Sequence, residues 1–169
     1  MLKQRIAVLR GGPSPEYDVS METGRSVLEA LEAESKYEPM DITITRKGEW
    51  LTGGMAKKPE VILSSVDGVF NAMHGTYGED GEVQRILENS GVPFNGSKSY
   101  PSALSMNKIL TKEHLYGTKG MRFAPHMRVA SDKSTDIKRV AIRLEDLLGT
   151  ECVIKPVHGG SSLGTYMTD

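Results

Sequence analysis

Three stretches of this 169-residue chain combine glycines with side chains able to bind charge. The richest is Lys155-Pro156-Val157-His158-Gly159-Gly160-Ser161-Ser162-Leu163-Gly164. A lysine at the end of a buried strand can project a point charge at a polyphosphate. The glycines after it free the backbone to close over the phosphates, and Ser161 and Ser162 add hydroxyl donors. A flexible surface loop with an exposed lysine is the plainer alternative, and the density of Lys, Gly-Gly, Ser-Ser and Gly argues against it. The second stretch is Gly11-Gly12-Pro13-Ser14-Pro15-Glu16, directly after an apolar run. Two adjacent glycines let backbone N–H groups turn inward while the following helix aims its positive end at the same spot. An anion or a carboxylate substrate would sit there, with Glu16 at the mouth suited to an amine. An ordinary tight turn, with Glu16 merely favouring the helix start, explains the same residues, because the pattern falls short of a full G-x-G-x-x-G. The third stretch is His74-Gly75 with Gly78-Glu79-Asp80-Gly81 at the end of another apolar run. Open parallel sheets bind ligands beyond the carboxyl ends of their strands, so His74 and Gly11 are expected to face one cleft. Glu79 and Asp80 read as loop or cap groups. Lys108, in Met106-Asn107-Lys108, alone says nothing, since a helical lysine is usually a solvated one.

The elements that must position these loops follow from hydrophobic pattern. Ile6-Ala7-Val8-Leu9 is a continuous apolar run, as in a parallel strand buried on both faces. A helix is expected to start near Asp18 to Ser20, both good N-cap types, with Met21, Gly24, Val27, Leu28 and Leu31 as its inner stripe. Met40–Ile44 is a second strand, and Lys47–Leu51 a hairpin carrying a surface Trp50. Val66–Met73 is a third strand, followed by a short helix ended by Gly91 and a fourth strand at Val92-Pro93-Phe94. This alternation predicts an α/β fold with a doubly wound parallel sheet over residues 1–100. Beyond it, 102–115 is expected to be one helix, Phe123–Val129 a strand, 134–148 an amphipathic helix and Cys152-Val153-Ile154 a strand. The unit over 101–169 thus starts a sheet that is not finished. The uncovered apolar helix face predicts a C-terminal third less stable than residues 1–100, or rescued by self-association.

Composition narrows the function. Lys+Arg is 21 against 22 Asp+Glu, a net charge of −1, which gives no basic excess for a nucleic-acid partner. The single Cys152 excludes an internal disulfide and argues against a structural zinc site; its place in an apolar strand favours a buried structural thiol over catalysis with His158. No run approaches the roughly 18 apolar residues of a membrane span, so a cytoplasmic, soluble protein is expected. Gly91–Lys98 nearly spells a P-loop, but Ser97 separates Gly96 from Lys98.

Taken in series, five segments resemble the D-alanine–D-alanine ligases of the ATP-grasp superfamily. They are Gly11–Ser20; Ala72–Gly75 with Gly78–Gly81; Gly91–Gly96; Ser105–Lys108; and Val153–Pro156 with Gly160–Gly164. The departures are Asn107, where the family usually has Asp, Gly159, where an acidic residue is common, and His158, in place of the usual basic residue. The resemblance implies a pre-ATP-grasp domain over 1–100 and the first part of a central ATP-grasp domain over 101–169. It implies a reaction in which ATP phosphorylates the carboxylate of one D-alanine and the amine of a second attacks the acyl phosphate, for peptidoglycan precursors. By the same likeness Glu16 takes the first D-alanine's ammonium, His74 lies near its carboxylate, and Ser161 hydrogen-bonds towards Glu16. Lys108 and Lys155 match the ATP-phosphate lysines, and Gly160, Ser161 and Ser162 the loop that covers the phosphates. The family's Mg²⁺ carboxylates are expected beyond residue 169, since none of Asn71, Asn89, Asn95 and Asn107 follows a Glu-x pattern. A chain without them is expected not to complete the reaction. A homodimer through the N-terminal domain is the expected assembly. The alternatives are a D-alanine–D-lactate or D-alanine–D-serine ligase, a non-catalytic binding or dimerising module, and a dinucleotide binder, the last disfavoured by the incomplete glycine pattern.

Overall fold

The computed structural model describes residues 2–130 and 135–168. They form two compact units, Met1–Met106 and Asn107–Asp169. The chain is mixed α/β.

The first unit is built on a five-stranded sheet: β1 (Gln4–Gly11), β2 (Tyr37–Ile44), β3 (Trp50–Thr52), β4 (Met55–Ala56) and β5 (Gly68–Asn71), in the order β4-β3-β2-β1-β5. β1 lies between β2 and β5, parallel to both (Ala7↔Met40 and Ala7↔Val69). Side chains alternate across a strand, which sorts the two faces. Val8 and Arg10 face helix α1 (Tyr17–Glu32), whose Gly24 has no room for a Cβ beside the Arg10 side chain. Ala7 and Leu9 face the other way, in one cluster with Ile62 and Leu63 of α2 (Pro59–Leu63) and Val83 and Leu87 of α3 (Glu82–Ser90). The sheet is therefore wound on both faces. Arg10 is satisfied across strands by Asp41, through Nε to Oδ1 at 2.7 Å and Nη2 to Oδ2 at 2.5 Å; that hydrogen-bonded carboxylate raises the guanidinium's pKa further. The unit ends in α4 (Ser99–Met106).

Several expectations are corrected here. Trp50 is not a surface residue: it is 3% exposed, its indole N–H donating to the Tyr77 hydroxyl at 2.8 Å. The strand expected at 92–94 shrinks to an isolated parallel bridge between Val69 and Phe94, because Pro93 has no N–H for a ladder. α1 begins at Tyr17, with Glu16 as its N-cap residue and no side-chain cap bond, so Ser20 lies inside the helix.

In the second unit the expected helix over 102–115 is broken at Asn107. Its extended backbone (φ −98°, ψ 105°) separates α4 from α5 (Lys108–Leu115), and its Oδ1 accepts from the N–H groups of Ile109 and Leu110, each at 3.1 Å. Phe123–Val129 forms no strand; Pro125 interrupts it and removes a ladder donor. α6 runs Ile137–Leu148, its cap Asp136 accepting from the Arg139 N–H; the expected first residue, 134, lies outside the described residues. β6 (Val153–Ile154) pairs antiparallel with β7 (Tyr166–Met167). The strand before Lys155 is not buried, as Val153 and Ile154 are about half exposed, and Cys152 is only partly covered.

Candidate functional site

The chain leaves β1 through α1 to reach β2 on one side, then returns to place β5 on the other. That reversal is the switch point at which open α/β sheets hold ligands, and both glycine loops of the first unit emerge there. One buried hydroxyl ties the two strand ends together: Ser20 Oγ accepts from the Gly11 N–H at 2.8 Å and donates to the Ala72 carbonyl at 3.0 Å. Ser20, Thr23 and Gly24 follow i, i+3, i+4 spacing, so small residues fill the helix face nearest the strand ends.

The glycine pair does not form the expected anion nest. The Gly11 N–H is taken by Ser20 and the Gly12 N–H by the Ile44 carbonyl, at 2.8 Å. Their positive φ values, 89° and 103°, bring the chain back towards β2 and into α1. A side chain at Gly11 would strike the Ile44 carbonyl and the Tyr17 ring. What the loop presents is a carboxylate. Ser14, 1% exposed, accepts from the Glu16 N–H at 3.1 Å. A Cβ at Gly75 would collide with the Ser14 hydroxyl and lie 2.7 Å from Glu16 Oε2. The Glu16 carboxylate is thus seated against the residue that follows His74, and only glycine at 75 leaves it room. Glu16 is partly buried and engaged in the fold.

His74 is held from the helix: its Nε2 lies 2.9 Å from Thr23 Oγ1. The loop after it is pinned internally. The Gly75 N–H donates to Glu79 Oε2 at 2.6 Å, and Asp80 accepts from Tyr77 N–H at 2.7 Å and Glu82 N–H at 3.1 Å. Glu79 and Asp80 are loop and cap groups, as their positions suggested. Burial pushes the Tyr77 phenol up, with the Trp50 N–H partly offsetting it.

Lys108, Lys155, Gly160, Ser161 and Ser162 all belong to the second unit. Lys108 is the first residue of α5, where a cation opposes the helix dipole. Its Nζ donates to the Gly159 carbonyl at 2.7 Å and its N–H to the Val157 carbonyl at 2.9 Å, so it is bound to the glycine loop. Asn107 Nδ2 lies 3.1 Å from His158 Nε2, so the residues at two departures from the family pattern touch each other. Ser161 and Ser162 adopt φ of 48° and 57°, conformations uncommon for residues other than glycine, in an exposed turn, and Lys155 is exposed at the end of β6. These residues suit a polyphosphate: two cations, two hydroxyl-bearing residues and a glycine-rich backbone. Among the described residues no group of three or more His, Cys, Asp or Glu is placed to hold a metal ion.

Comparison with known proteins bears on this arrangement. The family model described as "D-ala D-ala ligase N-terminus" matches residues 5–62 and 55–97. The chain belongs to the D-alanine–D-alanine ligase family. A D-alanine–D-alanine ligase of Clostridium beijerinckii is 34% identical over 165 residues, covering 96% of this chain and 49% of the relative. The solved D-alanine–D-alanine ligase of Coxiella burnetii superposes with a TM-score of 0.79 at 29% identity, over 98% of this chain and 56% of that one. The VanG D-Ala:D-Ser ligase of Enterococcus faecalis gives 0.71 at 28%, over 98% and 55%. The chain spans about half the length of the relatives it matches. No helix among the described residues is long and apolar enough to cross a membrane.

The sequence assigns no role to Ser14 or Thr23 and suggests only a helix cap for Ser20. Ser20 and Thr23 had a signal in their spacing with Gly24; Ser14 had none, since its burial depends on a loop some sixty residues later.

Proposed function

We propose that this chain is the N-terminal portion of a cytoplasmic ATP-dependent ligase that joins two D-alanines for peptidoglycan precursor synthesis. In this reading Met1–Met106 is the pre-ATP-grasp domain and Asn107–Asp169 the first part of the ATP-grasp domain. Glu16 binds the ammonium of the first D-alanine and His74 lies near its carboxylate, with Ser161 the third residue assigned to that substrate. Lys108 and Lys155 offset phosphate charge, and Gly160, Ser161 and Ser162 cover the phosphates of ATP. Chemically, ATP transfers its γ-phosphoryl group to the carboxylate, and the second amine displaces phosphate from the acyl phosphate. The protein's share is positioning, charge compensation and exclusion of water.

The observation that carries the reading is the Glu16 carboxylate seated at Gly75, beside His74, at the switch point of the sheet. A carboxylate on one loop and an imidazole on the next suit a small zwitterion. Lys108 adds support: a lysine at the positive end of a helix is a local electrostatic conflict that an anion would relieve. A D-alanine–D-serine ligase is the second reading, favoured by the similarity to the Enterococcus enzyme, and it shares the first-substrate residues. Two copies pairing through the N-terminal unit complete the proposal, and light scattering at micromolar concentration checks it.

Calorimetric titration of the full chain tests the function. Weak ATP binding that disappears in Lys155→Ala, and D-alanine binding that disappears in Glu16→Gln, are expected. Tight NAD binding instead would overturn the reading. Repeated ADP release by this chain with ATP, Mg²⁺ and D-alanine would show that it needs no further residues.

A further inference from the structure

Thr23 carries one hydroxyl proton and two neighbours. Its Oγ1 lies 3.0 Å from the Val19 carbonyl, one turn back along α1, and 2.9 Å from His74 Nε2. A carbonyl can only accept, so the hydroxyl proton goes to Val19. At His74 the same oxygen must then accept, and Nε2 must carry the hydrogen. We infer that Thr23 is a positioning residue that fixes His74 as its Nε2–H tautomer and leaves Nδ1 as the ring atom available to a ligand. Rotation of the ring would exchange that bond for a C–H facing the hydroxyl, so Thr23 fixes orientation as well as tautomer. The placement is firm because Thr23 sits one helical step from Ser20, the hydroxyl that locks β1 to β5, and Gly24 seats the same turn against the sheet.

The chemical consequence is asymmetric. Neutral, His74 offers Nδ1 as an acceptor; protonated, it offers Nδ1–H to a carboxylate. The ring cannot turn its Nε2–H to a substrate without breaking the bond to Thr23. This rests on the reading of His74 as a D-alanine residue, and the test separates the two.

Long-range proton–nitrogen NMR of the ¹⁵N-labelled full chain reads the imidazole nitrogens, with His74→Gln identifying the signals. The expected pattern in the neutral ring is a protonated Nε2 and an unprotonated Nδ1. Thr23→Val should convert it to a mixture of tautomers, and Thr23→Ser should restore it. A protonated Nδ1 in the parent chain, or a pattern unmoved in Thr23→Val, would overturn the inference. Adding D-alanine should then move Nδ1 while Nε2 stays. A fixed tautomer with both nitrogens indifferent to D-alanine would leave Thr23's role standing and remove His74 from the substrate site.

Discussion

The two units of this chain are stabilised in different ways. In Met1–Met106 strand β1 is enclosed: Ala7, Val8 and Leu9 have no exposed surface, and Ile42, Ile44, Val83 and Leu87 pack with Ala7 and Leu9 in one buried cluster. In Asn107–Asp169 no described residue is buried. Ile137, Ile142 and Leu147 of α6 are 77%, 61% and 52% exposed, and Tyr166 and Met167 of β7 are 68% and 81% exposed. Burial of apolar surface is the dominant favourable contribution to folding, so the first unit owns nearly all of it. The second depends on caps and local hydrogen bonds. The candidate residues divide along the same line: Glu16 and His74 are fixed by packing, whereas Lys108 opens a helix with no buried residue and Ser161 sits in an exposed turn.

The largest expected consequence is in hydrogen exchange. Amides of β1, β2 and β5 should exchange only through global opening of their unit, while those of α5, α6 and the hairpin exchange through local opening, orders of magnitude faster. Equal protection in a monomer would break the comparison. Substitution sharpens it. Leu9→Ala removes a fully buried side chain and should lower the urea-unfolding stability of the first unit by about 2–5 kcal/mol. Leu147→Ala in α6 should change stability by less than about 0.5 kcal/mol.

Glycine in the two loops gives the next contrast. Gly75 has φ +72°, and a Cβ there meets Ser14 and Glu16; Gly159 has φ +112° and open space around it. Gly75→Ala should therefore cost about 2 kcal/mol or more and displace the Glu16 carboxylate, and with it the D-alanine binding proposed for this chain. Gly159→Ala should cost only its backbone strain, about 1 kcal/mol. Equal effects on thermal unfolding would mean that the Ser14–Glu16–Gly75 contact imposes no constraint. Ser20→Ala comes next. It leaves the Gly11 N–H and the Ala72 carbonyl buried without their partner, at about 1–3 kcal/mol.

What was legible in the sequence follows the same division. Ile6–Leu9, Met40–Ile44 and the apolar run into Asn71 announce β1, β2 and β5 because continuous apolar runs have few other uses. Gly91 announces its left-handed helix end (φ 74°) for the same kind of reason. Trp50 was misread because its neighbours Lys47, Gly48 and Glu49 look solvated, while its burial is decided by Tyr77 and the core, which local pattern does not contain. The anion nest failed on hydrogen-bond bookkeeping: glycines supply free amides only if nothing nearer claims them, and Ser20 and Ile44 do. At the site, residue types were readable while partnerships across loops were not. Glu16 and His74 stood out, whereas Ser14 and Thr23 acquire meaning only when the ends of β1 and β5 come together.

The smallest effect bears on the second unit, where local bonds replace a core. Asn107 does two things with one side chain. Its Oδ1 caps α5 through Ile109 and Leu110, and its Nδ2 meets His158 Nε2 beside the loop that takes the Lys108 hydrogen bond. Because Oδ1 is occupied by two N–H donors, the amide cannot flip without losing the cap, so Nδ2 is the donor and His158 Nε2 the acceptor. The two contributions can be separated. Asn107→Ser keeps a cap oxygen and loses the reach to His158, and α5 amide protection should fall by at most a few-fold. Asn107→Ala loses both, and the same amides should lose about 1 kcal/mol, roughly a five-fold faster exchange. If both variants weaken α5 equally, the bond to His158 rather than the cap anchors the helix start. Because this unit lacks a core to absorb the change, α6 should also respond to Asn107→Ala only if the unit unfolds as one body. Unchanged α6 protection would show that its helices open independently.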